Sequence, residues 1–198
     1  MKLLKHLFWM VPLILLMGLG VLMARTALTR RDDIRYHAGL QKAVQVRSDN
    51  FEHEREMPIE LSCRGRGIAP HLQWTGAPDG TKSFAVIAMD WDAVSPWLRL
   101  FPVAHWVLFN IPASTTEIPR GSSSASLGSI GINSGLNFSG QVGYLSPCPP
   151  LGTHRYEFRI YALDLDQIRP SSNDKDGIMQ AINGHILAYG ELTGLSRP

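Results

Sequence analysis

Apolar residues fall along this chain in three patterns. The first is an unbroken run, LFWMVPLILLMGLGVLMA (Leu7–Ala24), preceded by Lys2, Lys5 and His6 and followed by Arg25. A basic head joined to an uncharged stretch is the layout of an export signal. At 18 residues the run is long for a cleaved peptide and just long enough to cross a bilayer. Cleavage after Ala24 would also set Leu22 where a small residue is preferred. The segment 1–24 therefore reads as a signal peptide or an N-terminal membrane anchor, the anchor fitting better.

The second pattern is alternation. MPIELSC (Met57–Cys63), HLQW (His71–Trp74), TKSFAVIAM (Thr81–Met89), HWVLFNI (His105–Ile111) and HRYEFRIYAL (His154–Leu163) are rich in β-branched and aromatic residues and bounded by Gly and Pro. In the last of these Tyr156, Phe158, Ile160 and Ala162 share one face, and Arg155, Glu157 and Arg159 the other. SFAVIAM is apolar throughout, which predicts a central strand covered on both sides. The third pattern is helical: Ile178, Ile182, His185, Ile186 and Tyr189 predict one helix over Asn173–Leu192, ended by Gly190 and Gly194, with His185 in its core face. APDG (Ala77–Gly80) reads as a tight turn, and Ser122–Asn137 as a long Ser/Gly-rich surface loop. The expected fold is mainly β, with antiparallel β-sheets, a few peripheral helices and a C-terminal helix. Residues 25–47 are mixed and charged and read as a spacer; the domain proper is expected over 48–198.

Composition narrows the function. Charged residues make up 18%, and 18 glycines with 13 prolines suit a loop-rich β domain. Setting aside Lys2 and Lys5, basic and acidic residues balance at 17 each, and no basic run carries interleaved aromatics, so no nucleic-acid partner is expected. Cys63 and Cys148 lack the short paired spacings of a zinc site. In an oxidising compartment they would close one long loop, a cross-link contributing roughly 3–5 kcal/mol on the chain-entropy model; two buried thiols is the other reading. No metal and no cofactor is expected.

Three clusters carry candidate chemistry: AMDWDAVSP, where Asp90 and Asp92 point the same way if the chain stays extended; His105-Trp106, opening a strand; and SPCPPLGTHRY (Ser146–Tyr156). The last stiffens itself with Pro147, Pro149 and Pro150 just before His154 and Tyr156, as a rigid pocket wall would. Ser146 lies in no G-x-S-x-G elbow, and no H-x-x-x-H pair offers metal ligands. By themselves these residues describe a polar pocket of unspecified purpose.

Taken in order, LSCRGRGIAPHLQW, GAPDGTKSFAVIAMDWDA, HWVLFNIPA, GYLSPCPPLGTHRYEFRIYALD and INGHILAYGEL resemble the phosphatidylethanolamine-binding protein family (Raf-kinase-inhibitor-like), its bacterial branch above all. The resemblance covers residues 48–194. It implies antiparallel sheets with a small anion pocket at one end of the strands. The family's Asp-Pro-Asp-x-Pro motif falls on Asp90-Trp91-Asp92-Ala93-Val94, without either proline. On the same basis the ligand-binding residues are Asp90, Asp92, His105, Ser146, Pro147, Pro149, His154 and Tyr156, and Cys63 and Cys148 are expected near one another. Asp90 would orient the imidazoles or hold an ammonium group. The insert SPWLRLFPVA (Ser95–Ala104) would stand at the pocket mouth, and Arg64 and Arg66 would favour anions.

The implied function is that of an exported, non-enzymatic binding protein for phosphorylated small molecules or phospholipid head groups. It would reside in the periplasm or cell envelope, held to the inner membrane by residues 7–24. Two alternatives stand: a protein-interaction or protease-inhibitor module acting on a protein partner through the pocket rim, and a hydrolase or isomerase using Asp90, His105 and His154.

Overall fold

The computed structural model describes residues 2–198, with side chains from Met10 onward. Three helices, α1 (Lys2–Ala38), α2 (Ser124–Gly128) and α3 (Lys175–Ile182), accompany eleven strands. These are β1 (Gln45–Arg47), β2 (Arg55–Glu56), β3 (Leu72–Thr75), β4 (Ser83–Asp90), β5 (Val94–Ser95), β6 (Leu98–Arg99), β7 (Val103–Pro112), β8 (Glu117–Ile118), β9 (Asn133–Ser134), β10 (His154–Leu163) and β11 (Ile186–Ser196). A six-stranded sheet in the order β2-β11-β10-β4-β7-β9 is faced by a three-stranded sheet β1-β3-β8, and β5-β6 form a separate hairpin. Within the large sheet only the β2–β11 pair is parallel.

Side-chain alternation divides the core in two. Phe84, Val86, Ala88, Trp106, Leu108, Phe158 and Ile160 point toward the small sheet and pack with Leu72, Trp74 and Ile118. Ala85, Ile87, Val107, Tyr161 and Leu163 point the other way and meet Ile178 and Ile182 of α3. All eight residues of β4 are accordingly buried, as its unbroken apolar composition predicts.

Two predicted elements are different in the structure. The helix expected over Asn173–Leu192 covers only Lys175–Ile182; Asp174 caps it by accepting from the Gly177 N–H (2.9 Å), and the chain reverses at Gly184, φ +83°. The reversal leads directly into β11, so Gly190 and Gly194 are strand positions. A Cβ on Gly190 would collide with the Val44 carbonyl oxygen, and one on Gly194 would strike Met57. These glycines permit close crossing of backbone rather than ending a helix. His185 consequently lies in a turn, half-exposed, its Nδ1 2.9 Å from Asp164. The strand expected over Met57–Cys63 is instead a 3-10 turn, Ile59–Leu61, because Pro58 fixes its entry and only Leu61 turns inward. The Ser122–Asn137 loop carries the short α2 and β9.

α1 does not stop where its apolar run does. It continues through residues 25–38, which lie on the outer face of the large sheet. Thr26 donates to the Leu100 carbonyl (2.7 Å), Arg30 pairs with Glu157, Arg159 donates to Asp33 (2.9 Å), and the Tyr161 hydroxyl donates to His37 Nε2 (2.8 Å). Arg159, nearly inaccessible, also meets Glu157 (2.6 Å) and Glu191 (2.8 Å). Glu157 and Arg159 of β10 are thus buried beneath a helix of complementary charge.

Candidate functional site

The strands β4, β7 and β10 place their ends side by side. Register sets Tyr156 opposite Asp90, and Asp90 opposite Val103, so Asp90, His105 and His154 converge at one edge of the sheet. Above them runs the Pro-rich segment. Its backbone is clamped to β7, where the Leu145 N–H donates to the His105 carbonyl (2.7 Å). It is also tied to the turn after Leu61, where Cys63 N–H donates to the Pro147 carbonyl (2.9 Å) and a disulfide joins Cys63 to Cys148. The result is a pocket of about 260 Å³ with Asp90, His105, His154 and Tyr156 inside and Ser146, Pro149 and Phe101 around it.

The two imidazoles are held differently. His154 Nδ1–H donates to Asp90 Oδ2 (2.8 Å), and Asp90 Oδ1 accepts from the Asp92 N–H (2.6 Å). Burial works against a charge on His154. The hydrogen bond and negative charge of Asp90, with Asp92 behind it, outweigh burial and raise the pKa above the ordinary value. His105 Nδ1–H donates to the Leu145 carbonyl (2.7 Å). Its burial, aided by the nearby His154, outweighs Leu145 and Asp90, and its pKa is lowered. A neutral His105 with its proton on Nδ1 offers a lone pair at Nε2, while the raised pKa of His154 favours the form that carries a proton on Nε2 as well. Neither Nε2 has a partner among the described residues. The ring of His105 stands edge-on to Tyr156 (centroids 4.9 Å apart), whose phenol is kept neutral by burial and by the charge of Asp90.

Six of the eight expected ligand residues line this pocket: Asp90, His105, Ser146, Pro149, His154 and Tyr156. Asp92 and Pro147 do not. The chain turns after Asp90, and the Asp92 carboxylate accepts from Arg155 (3.1 Å) and Arg99 (2.9 Å), which hold its pKa down although burial opposes them. Pro147 supports the wall through its carbonyl. Arg64 and Arg66 also stand away from the pocket; the Arg64 guanidinium donates to the main-chain oxygens of Arg197 and Pro198. Sequence reasoning missed Ala93, Val94, Val103 and Leu145 in the lining. Leu145 was detectable as the residue before Ser146, but its role belongs to its carbonyl, which no side-chain pattern shows.

A larger cleft of about 490 Å³ lies between α1, α3 and the outer sheet face. Its lining includes Asp33 and Arg159, which pair with each other (2.9 Å), and Trp91, whose buried Nε1 has no hydrogen-bond partner among the described residues. No group of three His, Cys, Asp or Glu side chains among the described residues is placed to hold a metal ion.

Similarity to known proteins agrees with this geometry. The family model for Phosphatidylethanolamine-binding protein matches residues 47–197. Relatives named UPF0098 protein from Methanothermobacter thermautotrophicus and Aquifex aeolicus are each 37% identical; the alignments cover 78% and 77% of this chain and 99% and 87% of theirs. The crystal structure of a phosphatidylethanolamine-binding protein homolog from Chlamydia trachomatis matches with a TM-score of 0.70 at 34% identity, covering 80% of this chain and 99% of that one. E. coli YbcL, described as a member of the mammalian family, matches with a TM-score of 0.70 at 30% identity, over 79% of this chain and 99% of its own. The chain belongs to the phosphatidylethanolamine-binding protein family.

Proposed function

We propose that this protein is an exported, non-enzymatic binding protein whose pocket takes a phosphorylated small molecule or a phospholipid head group. The observation that carries the reading is the pair of unpartnered Nε2 atoms at the floor of the pocket, His105 an acceptor and His154 a donor once it is protonated. A phosphate monoester near neutral pH presents the complement: oxyanions that accept from His154 and, in its singly protonated form, a P–OH that donates to His105. Asp90 acts as the orienter. One of its oxygens is engaged by His154 and the other by the Asp92 N–H. The apolar half of α1 would retain the protein in the cell envelope.

Calorimetric titration of the full-length protein in detergent with inorganic phosphate and phosphoethanolamine tests this. Saturable binding that His105→Ala and His154→Ala both lose is the expected result. Absence of heat from folded wild-type protein would overturn it, and turnover of a phosphoester that His154→Ala abolishes would replace binding with catalysis.

A further inference from the structure

We infer that α1 fixes the domain with its pocket end pressed against the membrane that α1 spans, so that Trp97, Leu151 and Phe101 form a lipid-contacting rim around the pocket mouth. The inference rests on the pocket reading only for which part of the lipid enters; the orientation stands on the helix.

The direction of α1 is read from its contacts. Arg30 meets Glu157, Asp33 meets Arg159 and His37 meets Tyr161, so α1 and β10 advance together. β10 begins at His154, in the pocket. Moving backward along α1 from Arg30 therefore leads past the pocket end of the sheet. Thr26 is there, bonded to the Leu100 carbonyl, and Met23 shares a cleft with Trp97 and Arg99. Beyond it the exposed residues from Met10 to Met23 project away from the domain on that side. The helix containing them is long and apolar enough to cross a bilayer, with a mean hydropathy of 2.0 in its most apolar window. At ~1.5 Å per residue the Leu7–Ala24 run rises ~27 Å, near the ~30 Å of a hydrocarbon core.

The rim matches what it would meet. Trp97, 69% exposed, is level with the last apolar turn of α1, at the depth where tryptophan concentrates in membrane proteins. It also stands against the Pro-rich wall, because a Cβ on Gly152 would come within 3.0 Å of its ring. Leu151 (52% exposed) and Phe101 (39%) carry the apolar surface to the pocket, and Phe101 is stacked on Phe138, 55% exposed. Arg25 follows the apolar run directly, suiting anionic lipid phosphates at the interface. A head group of the same leaflet would thus enter the pocket without leaving the bilayer.

The test places a photoreactive benzoylphenylalanine at Trp97, at Leu151 or at exposed Asp79, beyond the opposite end of β4, in full-length protein reconstituted into vesicles of phosphatidylethanolamine and phosphatidylglycerol. Irradiation should give lipid adducts from positions 97 and 151 and none from 79. Adducts from 79 but not from 97, adducts from none of the three, or adducts from 97 only to a co-purifying protein would each overturn the orientation. All three sites are exposed, so the substitutions leave the core intact. Unlocking the helix with Asp33→Ala should lower the yield at 97 while the protein stays in the vesicle fraction; an unchanged yield would show that docking does not set the orientation. Failure of phosphate binding with adducts intact would instead condemn the pocket reading alone.

Discussion

At the scale of single residues, the site turns on one proton. Asp90 raises the pKa of His154 and burial lowers that of His105, so a phosphate group held against a neutral His105 needs a proton between its oxygen and His105 Nε2. Above the second pKa of the phosphate group, complex formation takes up that proton. Affinity for inorganic phosphate should therefore weaken as pH rises, by at most about tenfold per unit, and calorimetry in buffers of different ionisation enthalpy should show net uptake. His105 also bears on stability. Its folded pKa lies below the unfolded value of about 6.5, so the unfolded chain binds more protons and the burial of neutral His105 becomes a liability as pH falls below that value. His154 has the opposite sign: its pairing with Asp90 stabilises below the unfolded pKa, and this contribution is lost as pH rises through the higher folded value. Asp90→Asn should lower the His154 pKa, readable by imidazole NMR, and weaken phosphate binding by about ten- to a hundredfold, the worth of a hydrogen bond to a charged group.

At the scale of elements, α1 is two helices in one: an apolar rod and a charged cap for the sheet. Asp33 of the cap joins Glu157 of β10 and Glu191 of β11 around Arg159. Arg159→Ala would leave them buried together, and a loss of about 3–5 kcal/mol in denaturant unfolding is expected. The charge pattern on β10 was visible in the sequence, Arg155, Glu157 and Arg159 alternating with apolar residues, and it reads as a solvent face. Only the partner disclosed the truth: Arg30, Asp33 and His37 lie three to four apart on one helix face, but nothing local says that they meet a strand over a hundred residues later. β11 failed for a similar reason. Ile178, Ile182, Ile186 and Tyr189 keep a helical spacing through Asn183-Gly184, and pairing with β10 overrides that propensity once the chain has turned. The strands bearing the pocket were legible because β4, β7 and β10 are long and punctuated. The pocket residues were legible through family resemblance, whereas the diversion of Asp92 to Arg99 and Arg155 depended on a turn whose direction the alternation could not supply.

At the scale of the whole molecule, one covalent link and one docked helix hold distant parts of the chain. The Cys63–Cys148 bridge spans 85 residues and joins the turn before β3 to the pocket wall. On the chain-entropy model a loop of that size contributes about 4–5 kcal/mol, so Cys63→Ser with Cys148→Ser should lower the unfolding midpoint. Phosphate affinity should fall in the same variant, because the Pro-rich wall loses its cross-link; calorimetry on the reduced wild type provides the parallel reading. The docked helix has a consequence in time as well as in space. Arg30 and Asp33 are synthesised early, while Glu157, Arg159 and Glu191, the groups that complete their network, arrive after most of the domain. Glu191 can reach Arg159 only once β11 has paired with β10. The network that holds α1 on the sheet is therefore whole only when the last strand is in place, although its first members are made at the start.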